Sequence, residues 1–385
     1  MSDGDIDICI ERGRAASALR VCDLLAKIHR RHIERALADA HLPPWPELMR
    51  GIPNGILRTA LFGAIKRRKR RYMEREPIAS VEGVYVTHTG PRLDQSDLDV
   101  FAGALHLARP VELGDSIACT EKGFLRLIGR GGSNGNNIGK SNRLWLKKVL
   151  ARLKATAVEI TQGPHTYCGS LINDYVRDSS NGCNVLILNS RLKVLFNHGG
   201  WTSIDWSIRR ALIGHPVAQW LHGFHSTHAV PVPYKAETLH FLCGSEAGKN
   251  AQTGAERHKA LLDWIGDSLV PAFKALKHIS DEAGQPFSWE ISLDGLVSVS
   301  RTWSASQLKH LRLKAVAREG RWPVIVTLRR VEASLDLGIE RYRTRSLGGA
   351  QSPTPGGRLR GTRGQITRKG GTESELSTGT IVAGL

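Results

Sequence analysis

Nowhere in this 385-residue chain is there a run approaching the ~18 apolar residues that a membrane span requires. The opening stretch, "MSDGDIDICIERGR", starts acidic and has no apolar core before a small-residue cleavage site, so no secretory leader is expected. Its six cysteines (Cys9, Cys22, Cys119, Cys168, Cys183 and Cys243) form no C-x-x-C pair. That spacing argues against a zinc cluster and fits reduced thiols in a cytoplasm. No G-x-S-x-G elbow supports a serine hydrolase. No His-x-His pair accompanies Tyr72, Tyr85, Tyr167, Tyr175, Tyr234 or Tyr342, as a DNA-nicking enzyme with a nucleophilic tyrosine would need. We expect no catalytic residue, no cofactor and no metal. "HGFHSTH" places His222, His225 and His228 three apart, but on a helix they spread over about 120° at ~100° per residue. With no cysteine or carboxylate at ligand spacing, they read as structural or solvated histidines.

What the chain has in excess is positive charge. Fifty-four Lys and Arg stand against 36 Asp and Glu, giving +18 and a pI of about 10. A surplus this large points to a polyanionic partner, with nucleic acid ahead of acidic membrane. It recurs at Lys66–Arg71 ("KRRKRR"), Lys140–Lys154 and Lys309–Arg330, so a basic tail alone does not account for it. "KRRKRR" reads as a phosphate-contacting edge or as plain solvated surface.

Hydrophobic content of 41% and a mean hydropathy of −0.24 fit a globular protein, and the length favours two domains. Residues 1–45 read as a helical extension, broken by "PPWPE" at Pro43–Glu47. Residues 341–385 form a basic Gly/Ser/Thr-rich tail expected to be disordered. Between them lies an internal repeat. "LHLARPVELGDSIACTEKGFLRLIG" (Leu105–Gly129) and "LHGFHSTHAVPVPYKAETLHFLCG" (Leu221–Gly244) each predict a helix end, a short extended piece and a short helix closed by glycine. In the first copy Thr120 is the expected N-cap, with Phe124, Leu127 and Ile128 on one face; in the second, Leu239 and Leu242 face inward.

A longer amphipathic helix follows each copy. The first, from Asn142 to about Ala157, carries Leu146, Val149, Leu150, Leu153 and Ala157 on one stripe. The second opens with the capping box Thr253-x-x-Glu256 and is expected to bury Leu261, Leu262, Ile265 and Leu269. Hairpins come next, turning near Gln162-Gly163-Pro164 and at Asp294-Gly295. Helix, short strand, helix, turn, helix, hairpin is the order of a winged helix-turn-helix. The expectation is an α+β fold with tandem winged helix-turn-helix domains, one over residues 46–190 and one over 191–340.

"GRGGSNGNNIGKS" resembles the end of a nucleotide-binding P-loop, but Asn134 stands where G-x-x-x-x-G-K-[ST] needs its first glycine. The segment before it has helical periodicity, where a P-loop follows a strand. Glycines before a helix N-terminus suit a DNA phosphate as well as a nucleotide. Lys140, Ser141, Arg143, Lys147, Lys148 and Arg152 are therefore the candidate DNA contacts of the first long helix. Lys249, Asn250, Gln252, Arg257 and Lys259 are those of the second, where Asp263 and Asp267 further along would repel phosphate. Arg301, in the second hairpin, is the candidate wing contact.

At these residues the chain resembles the TrfA-type plasmid replication initiators of bacteria. The blocks are "PPWPELMRGIPNGILRTALFGAIKRRKRRYMEREPIAS", "TGPRLDQSDLDVFAGALHLAR", "LARLKATAVEI" and "IDWSIRRALIGHPVAQWLHGFHSTHAVPVPYKAETLHFLCGSEA". They lie between Pro43 and about Leu276; the first forty residues and the tail after about Ala315 fall outside them. The resemblance implies a non-enzymatic cytoplasmic protein of the plasmid and nucleoid. It would bind double-stranded origin repeats (iterons), help open AT-rich DNA and contact its single strands. Its host partners would be a replication initiator, the replicative helicase and the sliding clamp, and it would self-associate between monomer and dimer. "QSDLDVF" (Gln95–Phe101) has the wrong spacing for a clamp-binding peptide and reads as a packed helix. The other reading is a DNA-binding repressor or copy-number regulator without initiator activity.

Overall fold

The computed structural model describes residues 41–319 apart from 66–69, 132–137 and 179, together with Asp23 and Lys27. The expected helical lead-in (Asp23 and Lys27 apart), the middle of the Lys66–Arg71 run, the core of the glycine/asparagine loop and the tail at 341–385 lie outside these residues. The described residues up to Leu313 belong to one compact unit.

Past the proline-rich break, β1 (Met49–Pro53) runs into a single helical turn, α1 (Asn54–Leu57), then β2 (Phe62–Gly63) and β3 (Tyr72–Pro77). In β4 (Val84–Pro91) alternation sends Val84, Val86 and His88 inward and leaves Tyr85 exposed. A short β5 (Leu93–Asp94) leads to α2 (Gln95–Leu107). Asp94 caps this helix with a full capping box to Asp97, and residues Gln95–His106 are buried. The "QSDLDVF" segment is thus a packed helix, as its spacing implies.

The first copy of the repeat continues with β6 (Ser116–Thr120), α3 (Glu121–Leu127) and α4 (Lys140–Ala155). Thr120 caps α3 by accepting from the Gly123 amide at 3.0 Å. Phe124, Leu125 and Ile128 are the buried positions of this turn, with Leu125 taking the place expected for Leu127. Leu146, Val149, Leu150 and Leu153 form the buried stripe of α4, each contributing about 1.5–3 kcal/mol by leaving water. The helix ends before Ala157, which opens a strand. Four strands follow: β7 (Ala157–Gln162), β8 (His165–Ser170), β9 (Ile172–Asp178) and β10 (Cys183–Leu188). The β7–β8 hairpin turns where expected but joins a four-stranded sheet of order β3-β4-β7-β8. The strand that opens the repeat pairs elsewhere, in the sheet β6-β10-β9, so β9–β10 is the hairpin that belongs to this copy.

A 3-10 segment (Ser190–Gly199) and β11 (Trp201–Asp205) bring the chain back to pair antiparallel with β1. Then α5 (Trp206–Ala211) and α6 (Pro216–Ser226) lead into the second copy, β12 (Tyr234–Lys235), α7 (Ala236–Leu242) and α8 (Gly254–Trp264). A π turn (Ile265–Leu269) joins α8 to α9 (Val270–Glu282). Pro271 lacks the N–H that an unbroken α-ladder requires just after this turn. The hairpin β13 (Phe287–Ile291) and β14 (Leu296–Arg301) completes the sheet β12-β14-β13, and α10 (Ala305–Glu319) follows. Both copies therefore have the same strand order, first strand beside the last strand of the hairpin. They also share a helix stop. Gly129 and Gly244 take φ of +79° and +70°, and the next amide in each reaches back five residues, Arg130 to Leu125 and Ser245 to His240.

One apolar core runs from Leu42 to Trp206, a second from Ile208 to Val297. Where they meet, the fully buried Arg209 of α5 donates to Asp99 of α2 at 2.7 Å and to the Gln219 and Gln95 carbonyls at 3.2 Å. It also reaches the Gln95 side chain at 3.1 Å, while Gln219 donates to the second Asp99 oxygen at 3.3 Å. Burial pushes the Asp99 carboxyl up, and the Arg209 guanidinium pulls it back down. Removing one partner leaves a bare buried charge, so Asp99→Ala is expected to cost about 3–5 kcal/mol in chemical denaturation. Asp99→Leu combined with Arg209→Met should lose much less.

Candidate nucleic-acid interface

The apolar stripe of α4 fixes which side chains face water. Lys140, Ser141, Arg143, Leu144, Lys147, Lys148 and Ala151 are exposed on the side away from the core. Gly139 caps the helix without a side-chain oxygen, so the first-turn amides gain no side-chain acceptor from the cap. Lys140, Lys147 and Lys148 form no ion pair among the described residues, whereas Lys154 near the end holds Asp174 at 2.5 Å. Arg143 reaches Glu121 at 3.8 Å and is half exposed. Trp145 is half-buried, with the Arg130 guanidinium 3.4 Å above its ring.

Arg152 does not join this face. Its guanidinium donates to Asp97 at 2.6 Å, and Asp97 also holds Arg70 at 2.8 Å. Asp97 is wholly buried at the start of α2, so Arg152 fastens α4 to α2 and leaves the candidate contacts. Arg301 is corrected in the same way. It gives hydrogen bonds to the carbonyls of His225 (2.8 Å), Ser226 (3.2 Å), His228 (2.8 Å) and Thr302 (2.9 Å), and to the Gln307 side chain (2.9 Å). Those around the end of α6 are last-turn carbonyls, which have no amide four residues on within the helix to accept from. Arg301 is an internal staple, its pKa lowered to about 10 by burial.

In the second copy the capping box forms as expected, with the Thr253 hydroxyl accepting from the Glu256 amide at 3.2 Å and the Glu256 carboxylate accepting from the Thr253 amide at 3.4 Å. Asn250, Gln252, Arg257 and Lys259 are exposed, and Lys249 lies 3.6 Å from Glu246. Leu262 is exposed, Leu261 and Ile265 are half-buried, and Trp264 with Leu269 supplies the buried anchor. Asp263 and Asp267 line a cavity of about 740 Å³ with Arg70, Arg71 and Arg92. Within it Arg92 pairs with Glu246 at 2.5 Å.

The family model described as TrfA protein matches residues 11–270 of this chain. The chain belongs to the TrfA family. The match begins well before the Pro43 at which the quoted blocks start. A curated relative, the plasmid replication initiator protein TrfA of Escherichia coli, is 29% identical over 256 residues. That alignment covers 62% of this chain and 65% of the relative, so the chain spans less than two thirds of the relative's length. Among solved structures, crystal structures of domains 2 and 3 of RctB align with 65% of this chain and 98% of theirs. They are 11% and 10% identical, at TM-scores of 0.42 and 0.37.

In this member of the TrfA family the three spaced histidines are structural. His222 and His225 are buried, and His225 sits among Phe224, Phe273 and Phe287. Burial lowers both to about 3, and burial with the nearby Arg58 lowers His228 to about 4. The Arg209–Asp99 network and the Arg70–Asp97–Arg152 chain were not foreseen from sequence. Their signals are present, Gln95 and Asp99 at i, i+4 and paired arginines inside "SIRRALI", but a sequence does not say which polar group goes inward.

Folded imidazoles this depressed make stability depend on pH. Above about 6.5 the histidines are neutral folded or unfolded, and the fold keeps its full stability. Below that the unfolded chain takes up protons that the folded one refuses until about 3 to 4. The melting temperature should therefore fall between about pH 7 and pH 5, and His225→Leu should fall less steeply over that range.

Proposed function

We propose that this chain initiates plasmid replication by binding iterons in the origin, promoting opening of adjacent AT-rich DNA and recruiting host replication proteins. The observation that carries the reading is the family match across residues 11–270. Two winged-helix modules do the binding, and the first core runs past the boundary expected at 190/191 as far as Trp206, with the second beginning at Ile208. The equal strand order of β6-β10-β9 and β12-β14-β13 supports this assignment. Each module places its long helix in a major groove, the two about one helical turn (~10 bp) apart.

On α4 the contacts are Lys140, Ser141, Arg143, Lys147 and Lys148; around α8 they are Lys249, Asn250, Gln252, Arg257 and Lys259. The surplus of +18 draws the protein to DNA and makes binding salt-dependent. The reading includes no catalytic step and no cofactor. The protein acts in the bacterial cytoplasm on its plasmid, exchanges between monomer and dimer, and contacts a host initiator, the replicative helicase and the sliding clamp.

Lys147→Ala with Lys148→Ala is expected to weaken binding to an origin fragment and to flatten the plot of log affinity against log salt by about 2. An unchanged slope in fluorescence anisotropy would remove α4 from the interface. An origin-only plasmid should be maintained when this chain is supplied in trans. Binding without maintenance would make the protein a repressor.

A further inference from the structure

We infer that Leu144 makes the first module read thymine, through the 5-methyl group that thymine presents in the major groove. The inference rests on the reading of α4 as the helix that enters that groove. Leu144 is 50% exposed in the second turn of α4, on the face away from Leu146, Val149, Leu150 and Leu153. Lys140 stands one turn before it, Lys147 and Lys148 one turn after, and exposed Ala151 a turn beyond them. A large apolar side chain set among cations is left half in water in the free protein. Covering it on a surface that also holds the lysines takes apolar area out of water.

DNA offers such a surface. Lysine ammonium groups suit backbone phosphates, and the apolar feature on the major-groove base edges is the thymine methyl. The residues of α4 that would best read guanine with two parallel hydrogen bonds are its arginines. Arg152 is spent on Asp97 at 2.6 Å, and Arg143 is turned toward Glu121 at 3.8 Å. The N-terminal half of a recognition helix lies against the bases, and Leu144 is the apolar side chain exposed there.

The test uses the full chain and a duplex carrying its footprinted origin repeat, with thymines replaced one at a time by deoxyuridine, which removes the methyl alone. Wild type should lose about three- to fourfold in affinity at the thymine under Leu144, the value of one buried methyl. Leu144→Ala should bind the unmodified duplex more weakly and no longer distinguish thymine from deoxyuridine there. Leu144→Gln, which keeps the length of the side chain, should lose that sensitivity as well. Wild type indifferent to every replacement, or Leu144→Ala with the wild-type ratio, would overturn the inference while leaving DNA binding intact. Leu144→Ala with unchanged DNA affinity but lost plasmid maintenance would overturn it in favour of a protein contact. Failure of wild type to bind any origin fragment would instead overturn the proposed function.

Discussion

The positions of both long helices depend on the buried pair of Arg209 and Asp99. A guanidinium removed from water is tolerated here because each donating nitrogen finds an oxygen: Asp99, the Gln95 and Gln219 carbonyls, and the Gln95 side chain. The pair ties α2, beside which α4 is packed, to α5 and α6, on which the second core is built. Satellite bonds surround it. Trp220 donates to the Thr59 carbonyl at 3.1 Å, Arg58 to Thr227 at 2.9 Å, and the Ala64 amide to the Cys243 carbonyl at 2.7 Å. Apolar contact alone would allow the halves to slide; directional bonds to a planar cation fix one register.

The same chemistry sorts the surplus of positive charge. Arg70, Arg152, Arg209 and Arg301 are used inside, each joining elements distant in sequence. Lys140, Lys147, Lys148 and Lys259 stay outside. Arginine has five donors in a fixed plane and is weakly hydrated, so it closes buried carbonyls and carboxylates. Lysine keeps a strongly hydrated point charge at the end of a flexible stem. Three of these arginines take Asp94, Asp97 and Asp99 inside with them, so the surplus of +18 is left almost whole for the surface, and on the outer face of α4 it is carried mostly by lysines.

The repeat shows how far pattern carries. Thr120, Thr253, Gly129 and Gly244 mark helix ends that form where their local chemistry places them, because caps and left-handed glycines act within a few residues. The stripe of α4 is equally plain, since four apolar residues at helical spacing have one way to face a core. The stripe of α8 misled at Leu262, because the π turn shifts the phase of the helix and brings Trp264 inward instead. The first hairpin misled for a related reason. β7–β8 and β9–β10 are both good hairpins, and only pairing with β6 tells which belongs to the repeat.

By itself the sequence determined the α+β class, the two copies, their caps, and the basic outer face of α4. These follow from periods of two and 3.6 residues and from turns closed locally. The tertiary structure alone decided that Arg152 and Arg301 are engaged by partners within the fold, that Asp263 and Asp267 line a cavity with Arg70, Arg71 and Arg92, and that Leu144 stands among exposed lysines. A side chain's partner is set by what another element brings within hydrogen-bonding distance, and residues such as Asp97 and Arg152, 55 positions apart, carry no sign of each other until the helices pack.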